Sequence, residues 1–212
     1  MATVYVDLDG TLVRFDRPYE AVFRDAVASV GATVPEGVFD TYSEAFLDAF
    51  ESVTPAPIRS ACRVLGDEYD IGAGAEELRD AIVETEVAAT TLTAGARDAL
   101  STLSGTHELG VLSNGIGELQ RAKLGKFDLQ RRFEAVLISG ELGIRKPEPE
   151  VFTIARTRLP ADRYVYVCDD PVHDVRPANE AGFVTVQIDG DPDSPADARL
   201  PASAFDRLPE LI

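Results

Sequence analysis

The stretch Val4-Tyr5-Val6-Asp7-Leu8-Asp9-Gly10-Thr11-Leu12 decides how the rest of the chain is read. An apolar run leads directly into two carboxylates one residue apart, then into a glycine and a threonine. Side chains on a strand alternate faces, so Asp7 and Asp9 emerge on one side and Leu8 on the other. Two acids this close repel each other and lose solvation at a strand end. A cation or a proton-transfer task offsets that cost. Gly10 lets the backbone turn sharply and approach a ligand, and Thr11 adds a hydroxyl at the mouth of the site. The stretch predicts the floor of a metal-dependent active site at the carboxyl end of a buried strand. Taken alone, the same letters also suit an acidic turn, because Asp and Gly are common turn residues.

Working outward, apolar residues downstream recur at helical spacing over about seventy positions. The pattern predicts helices over 18–30, 35–52, 57–66 and 75–89, with Pro18 and Pro35 near helix starts. Gly72-Ala73-Gly74 reads as a turn between helices: it follows no strand and lacks the third glycine of a dinucleotide fingerprint. From residue 94 helices and strands alternate. Helices are predicted over 95–104, 116–125, 148–158 and 172–181, with a short one near 206–211. Strands are predicted over 107–112, 134–139 and 164–168, and a last one over 183–188. Near-continuous apolar strands between helices indicate an α/β fold, a doubly wound parallel sheet covered on both faces. The helical block is then an insertion after the first strand. Residues 1–14 plus 91–212 are expected to form the α/β core domain and 15–90 a helical cap.

Ligands of doubly wound sheets bind beyond the carboxyl ends of the strands. Here those ends carry Asp7 and Asp9, then Ser113 and Asn114, then Asp169 and Asp170. A fourth polar segment, Gly143-Ile144-Arg145-Lys146-Pro147-Glu148-Pro149, precedes the next helix. Four distant regions thus converge on one edge of one sheet, which an isolated surface turn does not explain.

These residues resemble the motifs of the haloacid dehalogenase-like (HAD) hydrolase superfamily, phosphatase type, with a helical cap inserted after the first motif. Its D-x-D-G-T matches Asp7 to Thr11, and its strand-ending Ser or Thr matches Ser113. Its lysine followed by Pro-x-Pro matches Lys146 to Pro149, and its spaced acids match Asp169 and Asp174. The resemblance implies Mg²⁺-dependent hydrolysis of a small phosphomonoester. Asp7 would be the nucleophile and Asp9 the proton donor and later the base. Thr11, Ser113, Asn114 and Lys146 would bind the phosphoryl group, and Lys146 would neutralise charge on it and on Asp7. Asp7, the main-chain carbonyl of Asp9 and Asp169 would hold Mg²⁺, with Asp174 behind them orienting Lys146 or a metal-bound water. The chain departs from the pattern at Cys168, where glycine is usual, and at Asp170, which could compete with Asp169. It departs again at Arg14, where relatives carry an acid. Cys168 reads as a small buried residue, His107 and His173 as structural, and Asp189 to Asp193 as a solvated loop.

Composition narrows the classes. The 212 residues carry 37 acidic and 20 basic side chains, a net charge of −17, with lysine only at positions 123, 126 and 146. Such a surface disfavours nucleic acid and anionic membranes as partners and suggests a high-salt cytoplasm that screens self-repulsion. Unfolding, rather than stabilisation, on transfer to molar KCl would contradict that halophilic reading. Cys62 and Cys168 form neither a zinc motif nor a disulfide framework. A strand starting at residue 3 leaves no room for a signal peptide, so a cytoplasmic location is expected.

Two other reactions share the motifs. A 2-haloacid dehalogenase needs the nucleophile but neither the acid two residues on nor the metal, since halide leaves without a proton. A phosphomutase would pass the phosphoryl group to a bound sugar. A receiver domain uses similar groups but places its acidic pair before a later phosphorylated Asp, and has no long cap. A binding protein that has lost turnover would keep the fold alone. Specificity is expected in residues 15–90, where Tyr19, Phe23, Arg24, Tyr42 and Phe46 either line a surface or pack internally.

Overall fold

In the computed structural model, residues 1–52 and 54–212 are described, and the chain divides into two compact units, Met1–Arg14 with Thr91–Ile212, and Phe15–Thr90. Two short strands, β2 (Val13–Phe15) and β3 (Thr90–Leu92), pair where the chain leaves the first unit and returns.

The first unit is built on a six-stranded parallel sheet. Its strands are β1 (Thr3–Val6), β4 (Glu108–Ser113), β5 (Ala135–Ile138), β6 (Tyr164–Cys168), β7 (Val184–Ile188) and β8 (Ala198–Leu200), in the spatial order β5-β4-β1-β6-β7-β8. Helices α5 (Ala96–Leu103), α6 (Gly117–Lys126), α7 (Ser139–Leu142), α8 (Pro149–Arg158) and α9 (Arg176–Glu180) connect them. Strand alternation sorts the core into two layers. Val4 and Val6 of β1 join Leu109, Val111, Val165 and Val167 on one face. Tyr5 joins Leu112, Tyr166, Phe152 and Phe183 on the other. Both faces are apolar because both are covered, as parallel sheets require. The fold is therefore α/β, a doubly wound parallel sheet.

Three expectations are corrected. Strand 183–188 is not the last: β8 adds a sixth strand beside β7. Its three residues include an exposed arginine, so no apolar run announces it. The helix expected over 172–181 starts as a π-helical turn, Pro171–Val175, before α9. Pro177 has no N–H to give to the carbonyl of His173, and Val175 N–H already reaches back to Asp170 O at 3.0 Å. The chain closes on a 3₁₀ segment, Ala202–Glu210, where a short helix near 206–211 was expected.

The second unit holds α1 (Tyr19–Ser29), α2 (Val38–Glu51), α3 (Pro57–Glu68) and α4 (Ala75–Ala89), with α1 packed on α4 and α2 on α3. Phe23 and Tyr42 are fully buried and stack with ring centroids 4.6 Å apart, so these two are packing residues. Arg24 pairs with Glu20 on the α1 surface. Among the described residues, no helix is long and apolar enough to cross a membrane. Cys62 and Cys168 are both free and buried.

Candidate active site

The β1 ladder runs one residue past the strand, with Asp7 N–H donating to Val167 O at 2.8 Å. Asp7 therefore shares the face of Tyr5 and Tyr166, at the carboxyl edge of the sheet. The chain then folds into a tight turn, with Gly10 N–H on Val13 O and Val13 N–H on Leu8 O, both 2.9 Å. Gly10 has φ +79°, and a Cβ there would lie 2.1 Å from Asp169 Oδ2. Glycine is required on both counts. The turn, rather than strand alternation, aims Asp9.

Lys146 is the hub of the site. Its ammonium, 3% exposed as a residue, lies 2.9 Å from Asp7 Oδ1, 2.6 Å from Asp174 Oδ1 and 2.8 Å from the Tyr166 hydroxyl. Three N–H groups meet three acceptors. Tyr166, fixed in turn by donating to Leu112 O at 2.9 Å, is a partner the motif reading missed. Burial opposes the lysine charge, but Asp174 and Asp7 outweigh it and hold the ammonium above its ordinary range. Burial pushes the Asp7 carboxyl up to about 8 against the pull of Lys146, with Asp174 and Asp169 adding to the rise.

Asp7, Asp169 and Asp174 each bring a carboxylate oxygen within 4.8 Å of the others. Three convergent hard oxygens are a donor set that fits a divalent cation. Burial, then Asp174, raises the Asp169 carboxyl to about 6. Asp170 stays outside this cluster. It accepts from Val172 N–H and His173 N–H at 2.7 and 2.8 Å and pairs with the His173 ring, which holds its carboxyl below the usual range despite partial burial. Asp169 and not Asp170 therefore meets Asp7.

Two expected ligand-binding side chains have other partners. Thr11 is fully buried, not at the mouth of a site. Its hydroxyl donates to Asp169 Oδ1 at 3.0 Å and orients that acid. Asn114 spends its amide on the backbone of Lys146: Nδ2 donates to Lys146 O at 3.0 Å and Oδ1 accepts from Lys146 N–H at 2.9 Å. It is a strut that places the lysine. Ser113, at the end of β4, remains on the cavity.

The cavity, about 250 Å³, is lined by five carboxylates (Asp7, Asp9, Asp169, Asp170 and Asp174) together with Lys146, Arg145, Ser113, Asn114 and His173. Asp9 takes no part in the acid cluster. Its Oδ1 accepts from Lys123 Nζ at 2.8 Å and its Oδ2 from Gln120 Nε2 at 2.7 Å. Neither Lys123 nor Gln120 was singled out from the sequence. One signal was available: the chain has three lysines, and two of them, Lys123 and Lys146, are buried against the paired acids of the opening motif.

A family model for haloacid dehalogenase-like hydrolases matches residues 1–182. The chain belongs to the haloacid dehalogenase-like hydrolase family. It is thus an enzyme of the hydrolase class. This HAD hydrolase is 30% identical over 209 residues to a phosphoserine phosphatase of Thermus thermophilus, spanning 91% of this chain and 83% of that one. It superposes with TM-score 0.73 on a 2-haloacid dehalogenase of Pseudomonas syringae, at 26% identity over 100% of this chain and 97% of the other. The HAD hydrolase YfnB of Bacillus subtilis, bound to magnesium, shares the fold at TM-score 0.73 and 21% identity, covering 99% of this chain and 96% of that one.

Proposed function

We propose that this HAD hydrolase is a Mg²⁺-dependent phosphatase acting on a small phosphomonoester through an aspartyl-phosphate on Asp7. The observation that carries this reading is that Asp7 and Asp9 open on one cavity while Lys146 holds Asp7 from behind. Asp7 Oδ attacks phosphorus, the ester P–O bond breaks, and the leaving alkoxide takes the proton of Asp9. The Asp9 carboxylate then removes a proton from water as that water attacks the aspartyl-phosphate, which restores Asp7 and frees inorganic phosphate. The Ser113 hydroxyl meets the phosphoryl oxygens, and the Lys146 charge, spent in hydrogen bonds on Asp7, Asp174 and Tyr166, offsets theirs through space.

Five carboxylates against Lys146 and Arg145 make a cavity that repels a phosphate dianion unless a cation is added. Asp7 and Asp169, with Asp174 beside them, would hold Mg²⁺, joined by the main-chain carbonyl of Asp9. When bound it supplies charge neutralisation and a fixed geometry. Likeness to a phosphoserine phosphatase supports the substrate class. The dehalogenase likeness favours a second reaction on the same nucleophile, but halide leaves without a proton and gives Asp9 nothing to do. The unit Phe15–Thr90 is assigned the role of a cap, and the −17 charge supports work in a salt-rich cytoplasm.

Release of inorganic phosphate from a panel of phosphomonoesters, in molar KCl with and without Mg²⁺, tests the reading. Phosphate release that requires the metal is expected. Halide release from 2-chloropropionate, with no phosphate released from the panel, would overturn it.

The acid cluster also sets a pH dependence. With Asp7 raised to about 8 and Asp169 to about 6, the folded state holds more protons than the unfolded chain above pH of about 4. In EDTA, stability should therefore fall as pH rises from about 4 to about 8. Mg²⁺ displaces those protons, so it should raise Tm more at pH 8 than at pH 5. Thermal melts of the wild type and of Asp7→Asn check this. The slope in EDTA should flatten in the variant, and an unchanged slope would assign it to the general acidity of the chain.

A further inference from the structure

The family motifs account for Asp9 but not for what holds it. Lys123 and Gln120 lie three residues apart on α6, and so on one helix face. Lys123 is 2% exposed, whereas the Asp9 side chain that it meets is 41% exposed. Lysine is rarely buried unless it is paired. Gln120 adds a second tie. Its Nε2 reaches Asp9 Oδ2 at 2.7 Å, Ser113 Oγ at 3.0 Å and Asn114 O at 3.2 Å. Among the described residues its carbonyl oxygen is buried with no hydrogen-bond partner, so the amide accepts a desolvation penalty in this orientation. Gly115 makes room for it, because a Cβ there would lie 2.6 Å from Gln120 Nε2.

We propose that Lys123 and Gln120 are positioning residues for Asp9: each binds one carboxylate oxygen, and together they fix the acid beside Ser113, where a leaving-group oxygen would stand. Each oxygen keeps a second lone pair for proton transfer. The inference rests on the phosphatase reading, in which Asp9 protonates the leaving group as the ester P–O bond breaks. A misplaced Asp9 then hurts in proportion to the basicity of that group.

The test compares kcat/KM for phenyl phosphate, whose leaving group has a pKa of about 10, with that for p-nitrophenyl phosphate, whose leaving group is far more acidic. In Lys123→Met and Gln120→Met, kcat/KM for phenyl phosphate is expected to fall about tenfold or more beyond any fall for the nitrophenyl ester. Asp9→Asn should show the same selectivity, and adding Lys123→Met to it should bring no further selective loss. Should Lys123→Met fail to fold, Gln120→Met carries the comparison. Equal losses on both esters would reduce the pair to a structural contact and overturn the inference alone. A wild type that released phosphate from neither ester would overturn the phosphatase reading and this inference with it.

Discussion

Asp7→Asn is expected to lower kcat by about 10⁴-fold or more while leaving the fold intact. The amide cannot attack phosphorus to give a stable acyl phosphate, so the covalent route closes rather than slows. The fold should survive because the site disfavours a charge on Asp7 in the free protein. It is buried, and Asp169 and Asp174 add to its raised carboxyl pKa. An amide oxygen can still accept from Lys146, 2.9 Å away, and the neutral amide cannot develop the charge that the cluster disfavours. Phosphate release and a thermal melt on the same preparation check both halves. A turnover close to that of the wild type would remove Asp7 from the chemistry, whatever the melt showed.

Lys146→Ala should be costly in two currencies at once. Removal of one preorganised cation beside the reacting carboxylate and phosphoryl group is worth about 10²–10³-fold in kcat. Loss of the ammonium also leaves Asp7 and Asp174 facing each other in a buried site and strips the Tyr166 hydroxyl of its donor. Breaking a buried pair costs about 3–5 kcal/mol. For a chain of this size that is roughly 6–20 °C in Tm. Saturating Mg²⁺ should recover part of the Tm, because a cation among the three acids lowers the same repulsion, but little of the rate. A kcat within tenfold of the wild type would contradict a charge-neutralising role.

The two variants depend on features of very different legibility. Asp7, Ser113 and Asp169 lie at or just beyond strand ends, Lys146 lies in the loop ahead of α8, and Asp174 lies five residues past Asp169. Apolar runs ending in polar residues report such positions directly, because burial on both faces forces the strands to be apolar and the sheet edge brings their ends together. The division at Arg14 and Thr91 follows a change of period from two to 3.6 that is equally local. Side-chain direction after the strand was not legible in this way. Thr11 follows a glycine at φ +79°, and the turn brings its hydroxyl to Asp169. Asn114 stands at a strand end, as a ligand-binding residue would, yet both ends of its amide are tied to a backbone 32 residues away.

Periodicity and spacing thus carried the layered sheet, the helical block after β1 and the polar residues at the sheet edge, while the match to family motifs picked out the lysine and the spaced acids among them. Those are properties of neighbours along the chain, set by alternation, burial and turn chemistry. Which oxygen each donor reaches was decided by packing. The contact of Lys123 with Asp9 joins residues 114 apart. In the sequence Lys123 looks like the basic last turn of an ordinary helix, where a lysine also suits the helix dipole. Only the seating of α6 against the turn after β1 gives that ammonium an acid to hold.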